Sequence, residues 1–235
     1  MTTRKRISVI AILMALASGV LAPASEAAAT RYVTVSAQGT VKVVPDAVRI
    51  NATATTVAAS NKEALATTAK TAAAVRAALK SAKVDSKDIA TQSVSVYPEY
   101  KYNTDGTSTL VGYRASQAFT ITVRAADTAG SIVDSLIATG GDNLQINGAT
   151  PFVLDSTQSL DAARTAAVKS AKAKATSYAK LLGVKLGKVN YLVENSAPTN
   201  YTPVMAVAKA ESDATVIDLG QQDVTISVTV QWSLL

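Results

Sequence analysis

Along this chain the apolar and polar positions follow two rhythms, one with the 3.6-residue period of a helix and one with the period of two that marks strands. The most regular helical stretch runs from Asp155 to Gly183. There Leu160, Ala163, Ala167, Ala171, Ala175, Tyr178, Leu181 and Leu182 gather on one side, and Lys169, Lys172, Thr176 and Lys180 on the other. A face made mainly of alanine brings a helix axis close to its partner, so the strands receiving it should carry small inward side chains.

A second helix is expected from Ser60 to about Lys83. It opens on a capping box, Ser60 with Glu63, and its buried stripe reads Leu65, Ala69, Ala72, Val75 and Leu79. A third, shorter helix follows Asp127 or Thr128 as cap, turns Ile132, Val133, Leu136 and Ile137 inward, and stops at Gly140 and Gly141. Between the helices lie strand patterns. Val33, Val35, Val41 and Val43 alternate around Gly39, which suggests a bend or a tight hairpin there, and Pro45-Asp46 ends the stretch. Val48, Ile50, Ala52 and Ala54 alternate with Arg49, Asn51, Thr53 and Thr55, so their sheet should have one covered and one wet face. Val94 to Tyr102 and the stretch through Phe119, Ile121 and Val123 flank Asp105-Gly106, a hairpin signal. Further strands cover Leu144 to Leu154, broken by Gly148 and Pro151, then Val189 to Val193, and finally Val224 to Trp232.

Together these elements predict an α+β fold with antiparallel-rich sheets and helices packed on one face. Strand 46–57, helix 60–83 and strand 92–103 repeat in order as strand 116–124, helix 128–139 and strand 143–154, without residue-level identity. The folded domain is expected over 30–235 and can be divided into two α+β subdomains. The segment 195–213, with Pro198 and Pro203, is long for a connection inside a compact domain and is expected to be mobile or functional.

Residues 1–29 stand apart. Arg4, Lys5 and Arg6 precede an apolar run from Ile7 to Ala22, followed by small residues, the pattern of a secretory signal peptide cleaved near Ala29. The apolar run is short for spanning a bilayer. The expected location is therefore periplasmic or secreted, with no transmembrane segment in the mature chain.

Composition narrows the chemistry. The chain has 235 residues and contains neither cysteine nor histidine. Disulfides, thiolate metal sites, thiol nucleophiles and the commonest general base are thereby excluded. A net charge of +6, lower once Arg4, Lys5, Arg6 and Glu26 are removed, is too mild to indicate nucleic acid. Ser177 and Lys180 match S-x-x-K, but the accompanying S-D-N and K-T-G motifs are absent and both residues fall on a lysine-rich helix face. No phosphate-binding glycine loop occurs, and Asp142-Asn143 alone does not make a calcium loop. Neither catalytic residues nor a cofactor or metal site is expected.

One surface feature is sharper. Tyr97, Tyr100, Tyr102 and Tyr113 lie on a single predicted hairpin, and tyrosine is favoured at interfaces because it buries a large ring with few rotors. The hairpin is expected either to join subunits into a homo-oligomer or to capture a peptide or another envelope protein as a monomeric binding module.

Three stretches carry a family resemblance: Val33 to Gly39 leading to Val44-Pro45-Asp46, then Gly112 to Ser116, then Ala162-Ala163-Arg164 through Tyr178-Ala179-Lys180-Leu181-Leu182-Gly183. In these the chain resembles the SIMPL-domain proteins, a family that includes bacterial periplasmic immunogenic antigens and an oxidative stress defence protein. It departs from the family's Pro-Gly-Glu-like turn before the last strand, where it has Leu219-Gly220-Gln221. The resemblance implies an α+β fold, an envelope location, ring-like or barrel-like homo-oligomers and a link to stress physiology. It supplies no catalytic residues.

Overall fold

The computed structural model describes residues 31–195, 203–204 and 214–235, so the leader expected at 1–29 and most of 195–213 lie outside the described residues. The chain builds two antiparallel sheets. In the first, β1 (Tyr32–Val43) and β6 (Leu186–Glu194) flank β8 (Gln221–Leu234), and the short β7 (Pro203–Val204) pairs with the start of β8. In the second, β2 (Ala47–Ala58), β3 (Ile89–Tyr102), β4 (Ser108–Val123) and β5 (Leu144–Phe152) are ordered β3-β4-β2-β5.

Helix α3 (Thr157–Leu181) covers the first sheet. Its buried residues, Ala163, Ala167, Ala171, Ala175 and Ala179, are spaced by four. They meet Val35 and Ala37 of β1 and Val224, Ile226, Val228, Val230 and Trp232 of β8. Gly39 neither bends β1 nor opens a hairpin. The strand runs through it in register with Ile226, and a Cβ there would overlap the backbone of Ala163 and Ala167. Gly39 is the point where the helix comes nearest the sheet, the close approach that an alanine face permits. The stripe ends differently from its sequence reading, because Tyr178, Leu181 and Leu182 are exposed and Ala179 takes the buried place. The four-residue spacing, not residue size, decides what is covered.

Helices α1 (Asn61–Ser81) and α2 (Ala129–Gly140) cover one face of the second sheet. Ser60 caps α1 by accepting from the Glu63 amide at 3.2 Å. The stripe of α1 is Ala64, Thr68, Ala72, Val75 and Leu79; Leu65 is 42% exposed and Ala69 is also on the outside. Thr68 is accepted into the core because its hydroxyl donates to the Ala115 carbonyl, which leaves no unpaired polar group. Both α1 and α3 end in Schellman motifs. The Val84 and Val184 amides reach back to Leu79 and Ala179, with Lys83 (φ +62) and Gly183 (φ +69) in the left-handed position.

The repeated order seen in sequence has a spatial meaning. In β2-α1-β3 the two strands lie parallel with β4 between them, and in β4-α2-β5 they lie parallel with β2 between them. The two split β-α-β units interleave into a ferredoxin-like sheet. That sheet is inserted between β1 and the rest of the first sheet. The Gln222 side-chain amide donates to the Pro151 carbonyl at 2.8 Å, and Asp46 accepts from the Leu154 amide at 2.8 Å, tying the two sheets together. Ile217 and Leu219 pack against the core of the second sheet just before β8 begins.

Candidate functional site

Period-two alternation in β2 and β4 sends Val48, Ile50, Ala52, Phe119, Ile121 and Val123 under the helices. The intervening residues form an open polar face. Across it Thr120 donates to the Asn51 side chain at 2.9 Å, Asn147 donates to Thr53 at 2.7 Å, and the Thr55 and Ser116 hydroxyls are 3.2 Å apart. Near the end of this face lies a cleft of about 790 Å³, floored by Thr53, Thr55 and Ser116. Tyr97 and Arg114 line it from the hairpin, Asp142 and Asn143 from the turn that leads into β5, and Gln145 from the start of β5.

Arg114 is held in place. Its guanidinium binds both carboxylate oxygens of Glu99, which lies on the same face one register step towards the hairpin tip. That hydrogen bonding lowers the Glu99 pKa and raises that of Arg114. The pair therefore stays charged, and nearly neutral as a unit, over the ordinary pH range.

The tyrosines of the hairpin do not form one cluster. Tyr97 pairs across β4 with Arg114 and so faces the cleft. Tyr113 pairs with Pro98 and faces the opposite side. The register then shifts between Glu99 and Tyr100, Val111 being the extra residue on β4, and Tyr100 faces Leu110 while Tyr102 faces Ser108. Tyr100 is 48% and Tyr102 82% exposed, beside exposed Leu110 and Val111. Tyr113 is half-buried. The hairpin thus carries an aromatic ring for the cleft and a separate apolar outer end. The Asp105-Gly106 turn closes it, with the Asp105 carboxylate accepting from the Thr107 amide and hydroxyl, which lowers the Asp105 pKa.

Other chemical candidates are scattered. Ser177 and Lys180 both lie exposed on α3 without a hydrogen bond between them. Arg164 is engaged by Asp161 and Glu194, and the Lys174 ammonium reaches the Ser36 carbonyl at the sheet edge. Asp88, near the start of β3, takes both oxygens to Arg124. Among the described residues there is no group of acidic side chains placed to hold a metal ion, and no helix is long and apolar enough to cross a membrane. Sequence reading missed the Glu99–Arg114 pair and the cleft. The signal lay in the alternation of β3 and β4, but their register depends on the extra residue at Val111, which no propensity marks.

Comparison with known proteins places this architecture. The model of the SIMPL family, described as a protein of unknown function (DUF541), matches residues 33–232. The chain belongs to the SIMPL family. Among its relatives, the 26 kDa periplasmic immunogenic protein of Brucella melitensis is 26% identical over 215 residues, covering 86% of this chain and 84% of the relative. The uncharacterized protein YggE of Escherichia coli K12 is 29% identical over 214 residues, covering 88% and 82%. YggE of Edwardsiella ictaluri is 31% identical over 150 residues, or 61% of each chain. As a SIMPL protein the chain has the α+β class expected of it, and the three stretches that carried the resemblance become β1, the middle of β4 and α3.

Proposed function

We propose that this SIMPL protein is an exported, non-enzymatic envelope protein that associates with further copies of itself through the outer end of the β3–β4 hairpin. The carrying observation is the concentration of exposed apolar side chains there, Tyr100, Tyr102, Leu110 and Val111, on a strand pair in which β3 is, among the described residues, the edge strand of its sheet. Monomeric proteins rarely leave such a patch on a sheet edge uncovered. A second exposed apolar edge, β6 with Val189, Tyr191, Leu192 and Val193, supplies a surface for a neighbouring copy, and two different patches on one chain suit a head-to-tail ring. The envelope location rests on the leader-like residues 1–29 and on the periplasmic name of the Brucella relative. The non-enzymatic reading is supported by a sequence without histidine or cysteine and by Ser177 and Lys180, which are exposed and make no hydrogen bond to each other.

Light scattering of the purified protein at micromolar concentration should give a multiple of the monomer mass, and Tyr100→Ser with Tyr102→Ser should reduce it. A strict monomer would remove the reading. A part in stress physiology, the further implication of the family resemblance, predicts poorer survival of a deletion strain in peroxide; unchanged survival would separate that role from the assembly.

A further inference from the structure

The cleft on the open face of the second sheet is not needed for the association proposed above, and its lining selects for a ligand. Electrostatics rule first. Glu99 occupies the Arg114 guanidinium with both oxygens, so the one cation among the described residues lining the cleft is already neutralised. Asp142 lines the opposite wall and makes no ion pair or hydrogen bond among the described residues. A phosphate or carboxylate ligand would therefore meet a site of slightly negative charge.

Polarity rules second. The floor is made of hydroxyls, and Asn143 and Gln145 stand beside Asp142 with their side chains unbonded to protein among the described residues. Most small-molecule sites are chiefly apolar with a few polar groups, and this one inverts the proportion. An apolar ligand would leave these groups dry and unpaired. The apolar part of the lining is small, Val57 and Leu144 beside the half-exposed Tyr97 ring, which sits opposite Arg114 and is the aromatic face among the described lining residues. A flat aromatic face beside planar carboxamide and carboxylate groups suits a ligand with one C–H face and a rim of vicinal hydroxyls. At about 790 Å³ the space lies in the range of ligand sites, ~300–1,000 Å³.

We propose that this cleft binds a neutral oligosaccharide, with one sugar ring stacked on Tyr97 and its hydroxyls bridged by Asp142, Asn143 and Gln145.

Calorimetric titration of the purified protein with the neutral tetrasaccharides of β-1,4-linked glucose and of β-1,4-linked N-acetylglucosamine tests it, with tetra-alanine as the peptide comparison. At least one tetrasaccharide should bind with a dissociation constant of ~1 mM or tighter. Tyr97→Ala should weaken it at least tenfold and Asn143→Ala severalfold, while Tyr102→Ala leaves it unchanged. Asn143 lies in an exposed turn, so its variant keeps the test independent of folding, which thermal melts of all three would check. Light scattering on the same samples keeps sugar binding separate from assembly, since Tyr97→Ala should leave the particle mass unaltered. No binding of either tetrasaccharide, binding indifferent to both cleft substitutions, or tetra-alanine binding that Tyr97→Ala abolishes would each overturn the proposal.

Discussion

Gly39 of β1 lies against the carbonyl of Ala163 in α3 so closely that no side chain fits between them. The contact is backbone to backbone, and neither partner can move aside as a flexible side chain would. Gly39→Ala should therefore cost about 3 kcal/mol, at the upper end of overpacking. Gly106→Ala is the comparison: its φ of +83 is unfavourable for alanine but no atom lies near its Cβ, and about 1 kcal/mol is expected. Urea unfolding of the two variants measures the difference.

Lys83 and Gly183 fill the same left-handed position at the ends of α1 and α3. Only one of them is the residue best suited to it. Lys83→Gly should raise stability by about 0.5–1 kcal/mol by relieving the Cβ strain, whereas Gly183→Ala should lower it by about 1 kcal/mol. Opposite shifts of the melting temperature would show it.

Ser60→Ala removes the hydroxyl that accepts from the Glu63 amide and should cost about 1 kcal/mol. Ser60→Asp should restore most of the loss, since aspartate accepts the same bond and favours the helix N-terminus. Thermal melts of the pair at one pH distinguish capping from a general effect of substitution.

The Arg124 side chain donates to both oxygens of Asp88, at 2.7 and 2.8 Å, and these bonds lower the Asp88 pKa. A depressed folded-state value means that unfolding binds a proton, so the stabilisation is complete above the unfolded aspartate value of about 3.9 and fades as pH falls through the folded value. Asp88→Asn should thus melt lower than the parent at pH 7, with the gap closing progressively below about pH 4. Melting curves across that range would show a parallel offset instead if the loss were only steric.

Much of the fold was legible because period-two and 3.6-residue patterns respond directly to burial. The alternation of Val224, Ile226, Val228, Val230 and Trp232 is the inner face of β8, and Val48, Ile50, Ala52 and Ala54 that of β2. Errors came where two residues compete for one arc. On α1, Leu65 is more apolar than Ala64, yet Ala64 and Thr68 face the sheet because the helix continues from Val75 and Leu79 at that angle. Thr68 was invisible as a core residue because its acceptor, the Ala115 carbonyl, belongs to β4. Gly39 looked like a bend for the same kind of reason, since the helix that requires it is more than a hundred residues away. The cleft combines β2, β3, β4, the turn before β5 and the start of β5, so no local window contains it.

The insertion of the second sheet between β1 and its partner sets the order in which the molecule can assemble. Ser36 and Thr229, whose hydroxyls meet across β1 and β8, are 193 positions apart, whereas β2 through β5 are complete by Phe152. Closing so long a loop is slow compared with closing the hairpins and split units inside it. The first strand must wait, unpaired, until the last one arrives, and in that interval its valine-rich edge is open to misassembly. Pulsed hydrogen exchange during refolding should protect the amides of β2 and β4 before those of β1 and β8.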